Sequence, residues 1–117
     1  IVGVPGSLAL MASDEAYAAF SDLAPATFVN EACARIAIRG DKYRPVTYAS
    51  RVRCPVLLQI CDQDALTPAN AAADTVRRLG ANATEMHYQI GHFDIYFGDN
   101  RERSLRDQLT FLQRHLA

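Results

Sequence analysis

Asp64 and His92 are the residues of this chain whose types and spacing point to chemistry. Asp64 closes the run that begins at Pro55, and His92 follows 28 residues later, directly after Gly91. A carboxylate beside an imidazole accepts its Nδ1–H, fixes its tautomer and stabilises the imidazolium formed on proton transfer. The opposite ring nitrogen is then free to take a proton from a hydroxyl. Such a pair serves a nucleophile, and the chain marks none. No G-x-S-x-G pattern is present, and Ser7, in Gly3-Val4-Pro5-Gly6-Ser7, has the wrong spacing and no room for a preceding strand.

Other residues compete for these roles or carry blander ones. Asp62 lies two residues before Asp64 and rivals it as the acid. Asp64 itself reads, when taken alone, as a turn or helix-cap carboxylate. Asp94 is expected to be a solvated loop charge, and His87 and His115 surface residues. Phe93, Ile95, Tyr96 and Phe97 form an apolar cluster that either lines a pocket beside His92 or anchors the loop to the core.

The elements that must position Asp64 and His92 follow from periodicity. Pro55 to Cys61 is apolar apart from Gln59, as in a parallel strand covered on both faces. Thr67 and Pro68 then give an N-cap and a proline at the first helical position. Ala69, Ala72, Ala73, Val76 and Leu79 form one helix face, and Gly80 is the natural stop. Thr84, Met86, Tyr88 and Ile90 alternate with Glu85, His87 and Gln89, the pattern of a strand. Asp99 and Glu102 have capping-box spacing before a last helix carrying Leu105, Leu109, Leu112 and Leu116 on one side.

This order of strand, helix, strand and helix is the grammar of an α/β fold with parallel strands. Ligands in such sheets sit beyond the carboxyl ends of the strands, which is where Asp64 and His92 fall. The preceding half is helical in pattern. Ser13 caps a helix with Asp14 and Glu15 in its first turn, and Tyr17, Phe20, Leu23 and Ala24 recur at helical spacing up to Pro25. Val29, Ala32, Cys33, Ile36 and Ala37 predict a second helix running toward Gly40; Asp41 to Pro45 is a polar connector, and Val46 to Val52 adds a short helix.

Bulk properties bound the partners. At 117 residues, 50% hydrophobic and 21% charged, the chain is one domain or part of one. A net charge of −1, without a basic run, offers no field that favours nucleic acid or an anionic membrane. Its apolar runs fall short of the roughly 18 residues a membrane helix needs. Three cysteines, Cys33, Cys54 and Cys61, lack metal-ligand spacing and are expected to be small buried hydrophobes in a reducing cytoplasm. No signal peptide is recognisable, and no metal or organic cofactor is implied. The apolar opening without an initiator methionine reads as a fragment of a longer protein.

The residues from Pro55 to Pro68, with Ile90-Gly91-His92-Phe93, resemble the C-terminal portion of α/β-hydrolases. The resemblance covers roughly Arg53 to Ala117 and implies two parallel strands with flanking helices from the end of the hydrolase core, residues 53–117. Residues 1–52 then correspond to a helical cap-like segment. In that family the order is nucleophile, acid, base. The resemblance therefore makes Asp64 the triad acid, in preference to Asp62, and His92 the base. It implies hydrolysis of an ester, thioester, amide or related acyl bond, with a serine supplied from outside this chain. The chain alone is expected to be inactive, and to self-associate through its open sheet edge or by helix exchange. The competing expectation is a non-catalytic α/β interaction module derived from a hydrolase-like domain.

Overall fold

In the computed structural model, which describes residues 1–67 and 69–116, the chain divides into two compact units, Ile1–Tyr43 and Arg44–Ala117. Among the described residues the second unit holds both strands, β1 (Val56–Cys61) and β2 (Ala83–Tyr88), paired in parallel. Register runs from Val56 opposite Ala83 to Cys61 opposite Tyr88. Between them lies helix α3 (Ala69–Leu79), which packs on both strands. Its expected start at Pro68 lies outside the described residues. Gly80 ends the helix at φ 57°, a conformation that is strained for any residue with a Cβ. The expected alternation in β2 is present: Tyr88 is buried and Met86 half-buried, while Glu85 and His87 face out.

Only the end of β1 is deeply covered. Ile60 and Cys61 are buried, but Val56 to Gln59 are half-buried, because the sheet has two strands and β1 has a neighbour on one side alone. A 3₁₀ segment, Pro45–Arg51, precedes β1, and Asn82 Nδ2 donates to the Val52 carbonyl at 2.9 Å to close that end of the unit.

Helix α4 (Gly98–Leu116) is held by a polar latch in the middle of the apolar strand. Gln59 Nε2 donates to Tyr88 Oη and to the Ser104 carbonyl, each at 2.9 Å, and Gln59 Oε1 accepts from Gln108 Nε2 at 2.6 Å. Tyr88 Oη in turn donates to Asp107 Oδ2 at 2.6 Å. The single polar residue of the β1 run is thus satisfied by α4. The leucine stripe of α4 is exposed, reaching 57% at Leu109 and 78% at Leu116. The helix begins one residue before Asp99, with Arg101 N–H donating to the Phe97 carbonyl at 3.1 Å. The expected capping box is therefore out of register: Asp99 lies within the first turn, where its charge still favours the helix N-terminus.

In the first unit, α1 (Asp14–Leu23) starts where its cap residue dictates, Ser13 Oγ accepting from Ala16 N–H at 3.1 Å. It buries Ala16 and Ala19, while Tyr17 and Leu23 stay exposed. The second helix, α2, spans only Arg35–Arg39. Val29 to Cys33 are not helical because Asn30 pairs with the backbone of Val2, accepting from its N–H at 2.9 Å and donating to its carbonyl at 2.6 Å. An asparagine side chain used in this way competes with helix formation. Cys33 and Cys54 are exposed and only Cys61 is buried, which corrects the expectation that all three thiols are core residues. Cys33 lies in a stretch, residues 25–36, that is exposed throughout, and Cys54 falls before the covered part of β1.

Candidate active site

The chain turns through Asp62 and Gln63 before reaching Asp64, and backbone pairing continues past the strand ends. Asp62 N–H donates to the Tyr88 carbonyl at 2.8 Å and Gln63 N–H to the Ile90 carbonyl at 3.1 Å. Both loops therefore leave the same end of the sheet side by side.

Asp64 divides its carboxylate between two tasks. Oδ1 accepts from the N–H groups of Leu66 and Thr67, at 2.7 and 2.6 Å, and closes the turn leading to α3. Oδ2 faces His92 Nδ1 at 2.7 Å. The turn-carboxylate role and the imidazole contact thus use different oxygens of one side chain. The Asp64 side chain is 9% exposed and that of His92 is 31%. Desolvation pushes the Asp64 carboxyl upward, but hydrogen bonds from Thr67, His92 and Leu66 together outweigh it and hold the group below its ordinary range. An ionised carboxylate only accepts, so His92 Nδ1 carries the proton that is shared with it. Nε2 is then the nitrogen open to a substrate or nucleophile in the neutral ring.

The loop that presents His92 is itself braced. Asp94 Oδ2 accepts from Gly91 N–H at 2.8 Å, so this carboxylate shapes the loop instead of being simply solvated. Residues Asp94–Tyr96 form a 3₁₀ turn, and Phe93, which is buried, meets the His92 ring edge to face at 4.7 Å between centroids. Phe93 anchors the loop, whereas Ile95 and Tyr96 line a cleft.

That cleft has a volume of about 480 Å³, and both Asp64 and His92 lie on its wall. It touches Leu58, Gln59, Ile60 and Cys61 in succession, and lining residues also come from α3 and α4. Successive strand residues point to opposite faces, so a cleft that reaches four in a row runs along a strand edge. It is the edge of β1 turned away from β2. Cys61 and Ser104, both on its wall, are poorly suited to act as the nucleophile. Burial, then the charges of Asp64, Asp94 and Asp62, push the Cys61 thiol up and keep it protonated. Ser104 is 3% exposed and its hydroxyl donates to the Arg101 carbonyl at 2.9 Å. Ser7 sits in a turn of the first unit, its N–H donating to the Val4 carbonyl at 3.0 Å, and not on a strand-to-helix elbow.

Asp62, by sequence a rival acid, pairs instead with His87: His87 Nδ1 lies 2.7 Å from Asp62 Oδ1, and Gln89 Nε2 donates to Asp62 Oδ2. The strand register would have revealed it, since Cys61 opposite Tyr88 puts Asp62 beside Gln89. Among the described residues, no group of three or more His, Cys, Asp or Glu side chains is arranged to hold a metal ion. No helix among them is long and apolar enough to cross a membrane.

The second unit is a small α/β fold with parallel strands and flanking helices, carrying a carboxylate–imidazole contact beyond the strand ends. No protein-family model matches the chain, and no solved structure matches it. The chain is 36% identical over 113 residues to the quorum-quenching protein AidA of Acinetobacter baumannii (strain MDR-ZJ06), covering 93% of this chain and 36% of that protein. It is also 30% identical over 77 residues to an uncharacterized 31.7 kDa protein in the traX-finO intergenic region of Escherichia coli, covering 64% of this chain and 27% of that protein. The chain thus spans about a third or less of the length of these curated relatives.

Proposed function

We propose that this chain supplies the acid and base of a serine hydrolase of the α/β-hydrolase type, acting on an ester, thioester, amide or related acyl bond. Asp64 is the acid and His92 the base, and residues 53–117 are the C-terminal part of the catalytic core. Residues 1–52 are a cap-like segment. The observation that carries this reading is the 2.7 Å contact between Asp64 Oδ2 and His92 Nδ1 at the wall of a cleft.

In the proposed reaction, His92 Nε2 takes the proton of a serine hydroxyl contributed by the rest of the protein. The serine oxygen attacks the acyl carbon, and the imidazolium, stabilised by Asp64, returns the proton to the leaving group. Water, deprotonated by the same nitrogen, then attacks the acyl carbon; the acyl–serine bond breaks, the acid leaves, and His92 returns the proton to the serine oxygen. The open edge of β1 leaves room for the nucleophile to approach. Similarity to a protein named for quorum quenching makes a small bacterial signal with a cleavable acyl bond the first substrate class to test.

In the protein that carries both this segment and the serine, His92→Ala is expected to lower kcat by about 10³-fold or more. Asp64→Asn is expected to lower it by about 10²-fold or more. A normal kcat in either variant removes the assignment.

The alternative reading is a non-catalytic α/β interaction module derived from a hydrolase-like domain. In that case both variants bind partners normally and the intact protein turns over no acyl substrate.

A further inference from the structure

The turn that carries Asp64 is gripped by side chains outside the acid–base contact. Asp62 stands two residues before Asp64, and both of its carboxylate oxygens are engaged. Oδ1 faces His87 Nδ1 at 2.7 Å, and Oδ2 accepts from Gln89 Nε2. His87 belongs to β2, with its Nε2 3.6 Å from Glu85 Oε2. Gln89 follows β2 directly and stands three residues before His92. One carboxylate therefore ties the acid turn both to the end of β2 and to the first residue of the base loop.

The consequence is geometric. Asp64 and His92 meet across two loops whose relative position is set by the strand pair beneath them. Backbone bonds from Asp62 to Tyr88 and from Gln63 to Ile90 fix the spacing of the two chains. The two side-chain ties from Asp62 add a second link between the same two chains. A displacement of about 1 Å between catalytic groups is enough to cost roughly 10²-fold in rate. A charged acceptor also makes the stronger kind of hydrogen bond.

We propose that Asp62 is a positioning residue for the Asp64–His92 pair, clamping the acid turn to the base loop through His87 and Gln89. The proposal rests on the reading of Asp64 and His92 as acid and base. Asp62 acts through its neighbours and holds no proton of the reaction.

The test reads the His92 ring by NMR in the ¹⁵N-labelled 117-residue chain, so it does not depend on a nucleophile. The unsubstituted protein is expected to show a protected Nδ1–H at His92 that vanishes in Asp64→Asn. Asp62→Ala is expected to speed exchange of that proton with water by roughly tenfold, with Asp62→Asn, which keeps one acceptor, in between. His87→Leu and Gln89→Leu each cut one tie, and each is expected to speed exchange by a smaller factor. These two variants decide the matter if Asp62→Ala fails to fold. A protected His92 proton that exchanges at the unsubstituted rate in folded Asp62→Ala, or in both leucine variants, overturns the clamp and leaves the acid–base reading standing. Absence of the protected proton in the unsubstituted protein overturns both.

Discussion

Asp64 combines a structural and an electrostatic task through its contacts with Leu66, Thr67 and His92, and its ionisation links the site to folding. Hydrogen bonds from Thr67, His92 and Leu66 favour the charged form over burial's opposite push, so the folded carboxyl titrates below its ordinary value of 3.8. A lowered folded pKa contributes stability that is fully present above the unfolded value and is lost as pH falls through the folded one. Asp64→Asn is therefore expected to be less stable than the unsubstituted chain at pH 6, and the gap to close as pH falls below 3.8. Urea midpoints across that range measure it; a gap that stays constant would show that the carboxylate charge adds nothing. His87 works in the opposite sense. Its hydrogen bond to Asp62 raises its pKa above 6.5, so its contribution is present below that value and fades as pH rises past the raised one.

At the scale of elements, the site depends on how α4 is fastened to the strands. Gln59 links Tyr88, Ser104 and Gln108, and Tyr88 passes the link on to Asp107. Gln59→Leu leaves these partly buried groups short of partners and is expected to destabilise the fold by about 1–3 kcal/mol, read as a shift in urea midpoint. An unchanged midpoint would mean that packing alone holds the helix. Much at this scale was legible in the chain. Ser13 announced α1, Gly80 ended α3, and alternation identified β2, because each signal is local to a few residues. The shortness of α2 was not legible, since Asn30 is diverted by Val2, 28 residues away. Nor was the Asp62–His87 contact, because register between parallel strands is set by the connection and its packing, which leave no local mark. Asp64 and His92 were legible as candidates because their chemistry needs only strand ends, which periodicity locates.

For the whole molecule, an apolar stripe and two sheet edges are left uncovered: among the described residues β1 and β2 each pair with one strand alone, and Leu105, Leu109, Leu112 and Leu116 lie exposed along α4. Unpaired edges and apolar stripes of this kind favour association. The isolated chain is expected to form dimers or larger species at micromolar concentration; a monomeric mass by light scattering would contradict this.

The proposal that Asp64 and His92 activate a serine beyond this chain is tested most directly by fluorophosphonate labelling of the intact protein. One serine outside the 117 residues is expected to be labelled, with His92→Ala slowing the reaction by about 10²-fold or more. Labelling at the same rate in His92→Ala, or no labelled serine at all, would contradict it.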